Sequence, residues 1–139
     1  MELQVQVIAT TDEGTRAALA EARLLSAHLI PARVVLVVPR MVSSLTPPAG
    51  PGEDALITEQ YRVLVSESGV AATVRLCICR QLADVFRWMV STQAVIVVGG
   101  RRRWWWPTPA EQVARYLKRK GHRVVFAEVP RQSLNPSAI

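Results

Sequence analysis

The residues with the most chemical potential lie together after one apolar run. Ala94-Val95-Ile96-Val97-Val98 ends in Gly99-Gly100, and Arg101-Arg102-Arg103-Trp104-Trp105-Trp106 follows, with Thr108 close behind. Glycines let a backbone approach a ligand closely, guanidinium groups neutralise phosphate, and indoles stack on flat rings. A helix starting at Thr108 would add free amides. The block also suits a protein contact: three adjacent indoles cannot all enter one core, and Trp and Arg are enriched at the energetic centres of interfaces. Arg101, Arg102, Arg103, Trp104, Trp105 and Trp106 are therefore the candidate partner-binding residues.

Other reactive side chains point less clearly to chemistry. His28 falls in a helical stretch and His122 in a basic turn, neither spaced with a carboxylate or serine for acid-base or nucleophilic work. Cys77 and Cys79, two apart in an apolar run, are expected on opposite faces of a strand, without a mutual disulfide and without further ligands for zinc. The expectation is a non-enzyme with no metal, in a reducing compartment. No apolar run reaches the roughly 18 residues of a membrane span, and Met1-Glu2-Leu3-Gln4 does not open as a signal peptide, so the cytoplasm is expected.

Composition narrows the class further. The chain has 139 residues, half apolar and a fifth charged, which suits one domain with a core of its own and excludes disorder and coiled coil. Its net charge of +6 is uneven: residues 1–100 hold 8 Arg against 9 acids, whereas residues 101–139 hold 9 basic groups against Glu111 and Glu128. That surplus is expected to mark a site near Arg101. The Arg and Trp stretch carries no recognised nucleic-acid motif; single strands and an anionic membrane surface are less favoured partners than a protein.

The elements that must position these residues alternate along the chain. Strands are predicted at Leu3 to Ala9, Arg33 to Val38, Ala72 to Cys79, Ala94 to Val98 and Arg123 to Val129. Helical spacing covers Thr15 to Leu29, Asp54 to Ser68, Gln81 to Ser91 and Thr108 to about Lys120, with Gly69 and Gly121 as terminators. Pro31 and Pro39 bound the second strand, and Met41 to Gly52, rich in Pro, Gly and Ser, reads as a loop. Thr108, Pro109 and Glu111 form a helix-start signature. The result is an α/β domain over residues 1–130 with a five-stranded parallel doubly wound sheet and helices on both faces. Residues 131–139 read as a flexible tail. Ligands in such sheets bind beyond the carboxyl ends of the strands.

Across nearly its whole length the sequence resembles the universal stress protein family. The resemblance rests on Val7-Ile8-Ala9-Thr10-Thr11-Asp12-Glu13 leading to Ala17-Ala18-Leu19, on Glu67-Ser68-Gly69-Val70, on Ala94-Val95-Ile96-Val97-Val98-Gly99, and on Ala110-Glu111-Gln112-Val113 before the last strand. It implies the adenine nucleotide alpha hydrolase-like fold, a homodimer built on the last strand and, in one subgroup, an ATP site with three spaced glycines. Gly99 fills the first of those positions. Arg102 stands at the second, the third has no counterpart before Thr108, and the loop is about five residues short. The family's aspartate at the end of the first strand falls on Thr10, with Asp12 two positions on, and Asp12 reads first as a helix cap.

The expected function is a non-catalytic stress-response or regulatory module that lacks the usual ATP motif and makes partner contacts through Arg101–Trp106. The alternative is an adenine-nucleotide-binding protein whose altered site comprises Thr10, Asp12, Val38, Gly99, Gly100, Arg101 and Thr108. Val38 enters because the family's second strand presents backbone to adenine. A regulatory domain of a membrane transporter is the third reading.

Overall fold

The structure is a computed structural model that describes residues 3–28, 32–41, 51–81, 83–84, 94–102 and 107–129. Its element order is β1 (Leu3–Ile8), α1 (Asp12–His28), β2 (Ala32–Met41), α2 (Pro51–Ser68), β3 (Ala72–Cys79), β4 (Val95–Gly100), α3 (Pro109–Arg119) and β5 (Arg123–Glu128). All strand pairs are parallel, in the order β3-β2-β1-β4-β5. The chain builds outward from β1 to β3, then returns to β4 on the other side of β1. The carboxyl ends of β1 and β4 therefore flank the switch in strand order, where such sheets open a crevice. The expected Gln81 to Ser91 helix lies largely outside the described residues, as do Arg103, the three adjacent tryptophans and residues 131–139.

Alternation along each strand makes two cores. Val5, Val7, Val34, Leu36, Val38 and Val97 face α1 and α2, meeting Ala18, Leu19, Ala22, Leu64 and Val65. Ile8, Val35, Val37, Ile96 and Val98 face the other way, against Ala110, Ala114 and Leu117 of α3. A strand turns successive side chains to opposite faces, so an unbroken β-branched run fills both layers.

Three boundaries differ from the sequence reading for physical reasons. β2 continues through Pro39 because β1 ends its pairing at Val37. Beyond that residue β2 pairs with β3 alone, Pro39 with Cys77 and Arg40 with Ile78. A proline is tolerated where a strand has become an edge. α2 begins at Pro51, inside the expected loop, since proline suits a first helical position. α1 starts at Asp12, three residues early, and its cap is Thr11, whose Oγ1 accepts from the Gly14 amide at 3.1 Å. Asp12 is thus the first helical residue, and the expected cap is its neighbour. Gly69 and Gly121 take φ of +73° and +90°, ending α2 and α3 as expected.

Cys77 and Cys79 also require a correction. Residues two apart on a strand share a face, and both thiols pack on the α3 side, Cys79 inside that core and Cys77 against it. Both are free.

One contact sets the position of α1 over the sheet. A Cβ on Gly99 would be driven into the Gly14 carbonyl, and one on Gly14 into the Gly99 carbonyl and the Thr10 hydroxyl. Gly99→Ala is therefore expected to lower stability by at least about 2 kcal/mol through overpacking. Gly52→Ala, with open space around it at the start of α2, should be neutral or stabilising by up to about 1 kcal/mol. Urea unfolding of the two variants checks this, and equal midpoints would remove the contact from the account.

Candidate functional site

The turn after β1 is folded by its own hydroxyls. Thr10 donates its amide to Thr15 Oγ1 at 3.0 Å and its Oγ1 to the Gly99 carbonyl at 2.7 Å. Thr15 is fully buried, so these bonds replace water that the turn excludes. They join the ends of β1 and β4 to the first turn of α1. On the other side of β4, a Cβ on Gly100 would strike the Ala110 Cβ, which lets α3 sit tightly on the strand end.

The exit and return of the chain beyond β4 are tied together. Thr108 donates its hydroxyl to the Arg101 carbonyl at 2.7 Å, and the same oxygen accepts from the Glu111 amide at 3.3 Å. The Glu111 carboxylate accepts from the Thr108 amide, completing a capping box. This box leaves few donors for a ligand at the start of α3. Pro109 has no amide hydrogen, the Glu111 amide is held by Thr108, and the Gln112 amide bonds the Thr108 carbonyl.

A cavity of about 510 Å³ opens at the strand switch, lined from β1 and its turn by Ile8, Ala9, Thr10, Thr11 and Glu13. Pro39 closes the β2 side, Gly100 and Arg101 the β4 side, and Thr108, Pro109, Ala110 and Val113 the α3 side. Four candidate residues thus meet here: Thr10, Gly100, Arg101 and Thr108. Gly99 is absent from the lining because its backbone packs on α1, and Val38 because its side chain is buried in the α1 and α2 core, where Pro39 takes the cavity position. Asp12 lines a separate cleft of about 350 Å³ with Arg16, Gln60, Tyr61, Val63, Leu64 and Glu67. Burial, helped by the Asp12 carboxylate, pushes the Tyr61 hydroxyl above its ordinary pKa.

The charge around the main cavity runs against a polyphosphate. Among the described residues Arg101 is the one cation lining it, and Arg101 Nη2 is 2.7 Å from Glu13 Oε2. Arg102 instead lies over the Phe126 ring, 4.9 Å from its centroid. Acids occupy the first turn of α1, α2 and α3, which start at this edge: Asp12 and Glu13, Glu53 and Asp54, and Glu111. Glu128 adds another at the end of β5. Arg40 is held by Asp54 and by Glu53 at 3.5 Å. Glu13 and Pro39 fall in the strand-end segments Thr10 to Gly14 and Pro39 to Gly52, where the sequence places a small-molecule site, without being among the named candidates. The signal for Glu13 was its place one helical position beyond Asp12.

Among the described residues, no group of three His, Cys, Asp or Glu side chains is placed to hold a metal, and no helix is long and apolar enough to cross a membrane. His122 lies at the opposite edge of the sheet, its Nδ1 buried without a hydrogen-bond partner. Burial, with smaller contributions from neighbouring groups including Asp84, raises the pKa of both Cys77 and Cys79.

Comparison with known proteins supports the fold. No protein-family model matches the chain, and no curated protein matches it by sequence. Among solved structures, a universal stress protein family member from Burkholderia pseudomallei is 21% identical, with a TM-score of 0.53 over 88% of this chain and 93% of its own. A universal stress protein solved in complex with cAMP is 14% identical, with a TM-score of 0.58 over 92% and 98%. The universal stress protein from Archaeoglobus fulgidus is 14% identical and scores 0.61 over 91% and 93%. The chain has the universal stress protein fold.

Two outcomes follow. Thr108→Ala should cost about 1 kcal/mol, read as a lower urea midpoint. The folded thiols hold their protons more tightly than unfolded ones. Their contribution to stability is present below the unfolded thiol pKa and falls as pH rises past it. Iodoacetamide should accordingly label Cys77 and Cys79 slowly at neutral pH, and labelling there as fast as a free thiol would contradict the assigned burial.

Proposed function

We propose that this chain is a non-catalytic regulatory module of universal stress protein type whose cavity at the strand switch takes an adenine nucleoside or its monophosphate in place of ATP. The observation that carries this reading is the cavity itself. Its walls at Ile8, Ala9, Pro39, Ala110 and Val113 suit a flat apolar ring. Thr10 and Thr108 border it with hydroxyls, and Arg101 supplies a single guanidinium that a monoanion could share with Glu13. Among the described residues a triphosphate would meet the acidic helix starts with too few cations and amides to balance it. The universal stress protein with cAMP bound is a precedent for a ligand with one phosphate group on this fold.

Association is the second part of the reading. The Thr108 bond to the Arg101 carbonyl draws the two ends of the intervening segment together, which supports a partner contact through Arg101–Trp106. β5 is an edge strand with Val124, Val125 and Phe126 only half-buried, which supports a homodimer through that strand.

Thermal melting with cAMP, AMP, adenosine and ATP at equal concentration tests the ligand class. cAMP or adenosine should raise the melting temperature, since a ligand at 100 times its Kd contributes about 2.7 kcal/mol. A larger rise with ATP would sink the reading. Replacing Trp104, Trp105 and Trp106 together by alanine should weaken association and leave the fold intact; a melting temperature lowered as by a core truncation would count against a contact role.

A further inference from the structure

The fold divides the basic surplus of residues 101–139 between two ends of the molecule. α3 begins at the carboxyl edge of the sheet, where Thr108 is bonded to Arg101, and it ends at the amino edge. There His122 donates its amide to the Leu117 carbonyl, and Arg123, the next residue, opens β5 opposite Val95, the first residue of β4. Arg101 and Arg102 therefore stay near the cavity, while Lys118, Arg119, Lys120 and Arg123 gather at the far edge, with Arg115 one turn up the helix. A site at the strand ends does not account for this second group.

All five of these cations are exposed, and none forms an ion pair with a described residue. No acid occurs between Glu111 and Glu128. Helix-dipole stabilisation accounts for a cation or two in the last turn of α3, and it fades beyond that turn. It leaves Arg115 and Arg123 unexplained. Acids meanwhile stand in the first turns of α1, α2 and α3 at the opposite edge, with Glu59 in the middle of α2 and Glu67 in its last turn.

We infer that the end of α3 and the start of β5 form a docking surface for the phosphate backbone of duplex nucleic acid, bound without base recognition. Charge complementarity selects a polyanion. Arg115, Lys118 and Arg119 follow one face of α3, Lys120 caps its end, and Arg123 opens β5 on the α1 side of the sheet, since Val124 and Phe126 pack on the α3 side and Val125 and Ala127 on the other, so the cations surround the amino edge. Among the described residues this surface carries no acid and no exposed aromatic ring on which an unpaired base could stack, which disfavours single strands. Among the described residues it also offers no exposed apolar side chain to enter a bilayer, which disfavours membrane as the occupant. Tyr116, the aromatic residue beside it, is half-buried, with Lys120 Nζ 5.7 Å from its ring centroid.

The test is fluorescence anisotropy of a labelled 24-base-pair DNA duplex with the full chain, between 50 and 200 mM salt. With about four or five phosphates neutralised, the slope of log K against log salt should be about −4, a loss of roughly a hundredfold or more across that range. The variant carrying Arg115→Gln, Lys118→Gln, Arg119→Gln and Arg123→Gln should bind at least tenfold more weakly with a shallower slope, its circular dichroism unchanged. Arg16→Gln with Arg62→Gln, which removes cations from α1 and α2, should change affinity less than twofold. Because the control removes two charges and the test variant four, a control loss of half the logarithmic loss of the test variant or more would overturn the assignment, since net charge would then be the cause. No binding at 50 mM salt would overturn it, as would tighter binding to phosphatidylserine vesicles or to a single strand than to the duplex.

Discussion

The close approach of Gly14 to Gly99 is the constraint on which the rest of the site depends. Two backbones meet there without side chains between them, and Thr10 fastens the junction through its bonds to Thr15 and the Gly99 carbonyl. Because α1 lies directly on the end of β4, Gly99 is absent from the lining of the cavity beside it. The cavity forms instead on the α3 side, between Thr10, Arg101 and Thr108. A glycine that suggested phosphate in the sequence has a packing reason in the structure.

Charge follows the same architecture. Each crossover in a parallel α/β fold starts its helix at the carboxyl edge and ends it at the amino edge. Acids at helix starts and cations at helix ends, each favourable toward the local dipole, therefore accumulate on opposite sides of the sheet. Here that tendency is amplified by Glu13, Glu53, Asp54 and Glu111 at one edge and by the run from Arg115 to Arg123 at the other. In the proposed reading the cavity takes a ligand with little negative charge and the basic edge meets a different partner, so that one sheet would separate two kinds of recognition.

Much of this was legible from local rules. The β-branched runs located the five strands, and Gly69, Gly121 and the Thr108 capping box ended or began helices where expected, because each depends on a few adjacent residues. Features that depend on neighbours were less accessible. Pro39 bounds a strand by propensity, yet β2 runs through it because β1 has already ended. Gly99 and Gly100 look alike in sequence, but one packs on α1 and the other on Ala110. The shared face of Cys77 and Cys79 follows from strand alternation and needed only that rule applied. Net charge located the basic surplus in the chain, whereas only the course of α3 revealed that it is split between two edges.

Chemical-shift mapping of the ¹⁵N-labelled protein addresses this separation of surfaces most directly. Adding cAMP and then a DNA duplex should perturb two disjoint sets of amides: Thr10, Gly100, Arg101 and Thr108 with the nucleotide, and Arg115 to Arg123 with the duplex. Perturbation of the cavity residues by both ligands, with the amides of Arg115 to Arg123 unmoved, would contradict the account.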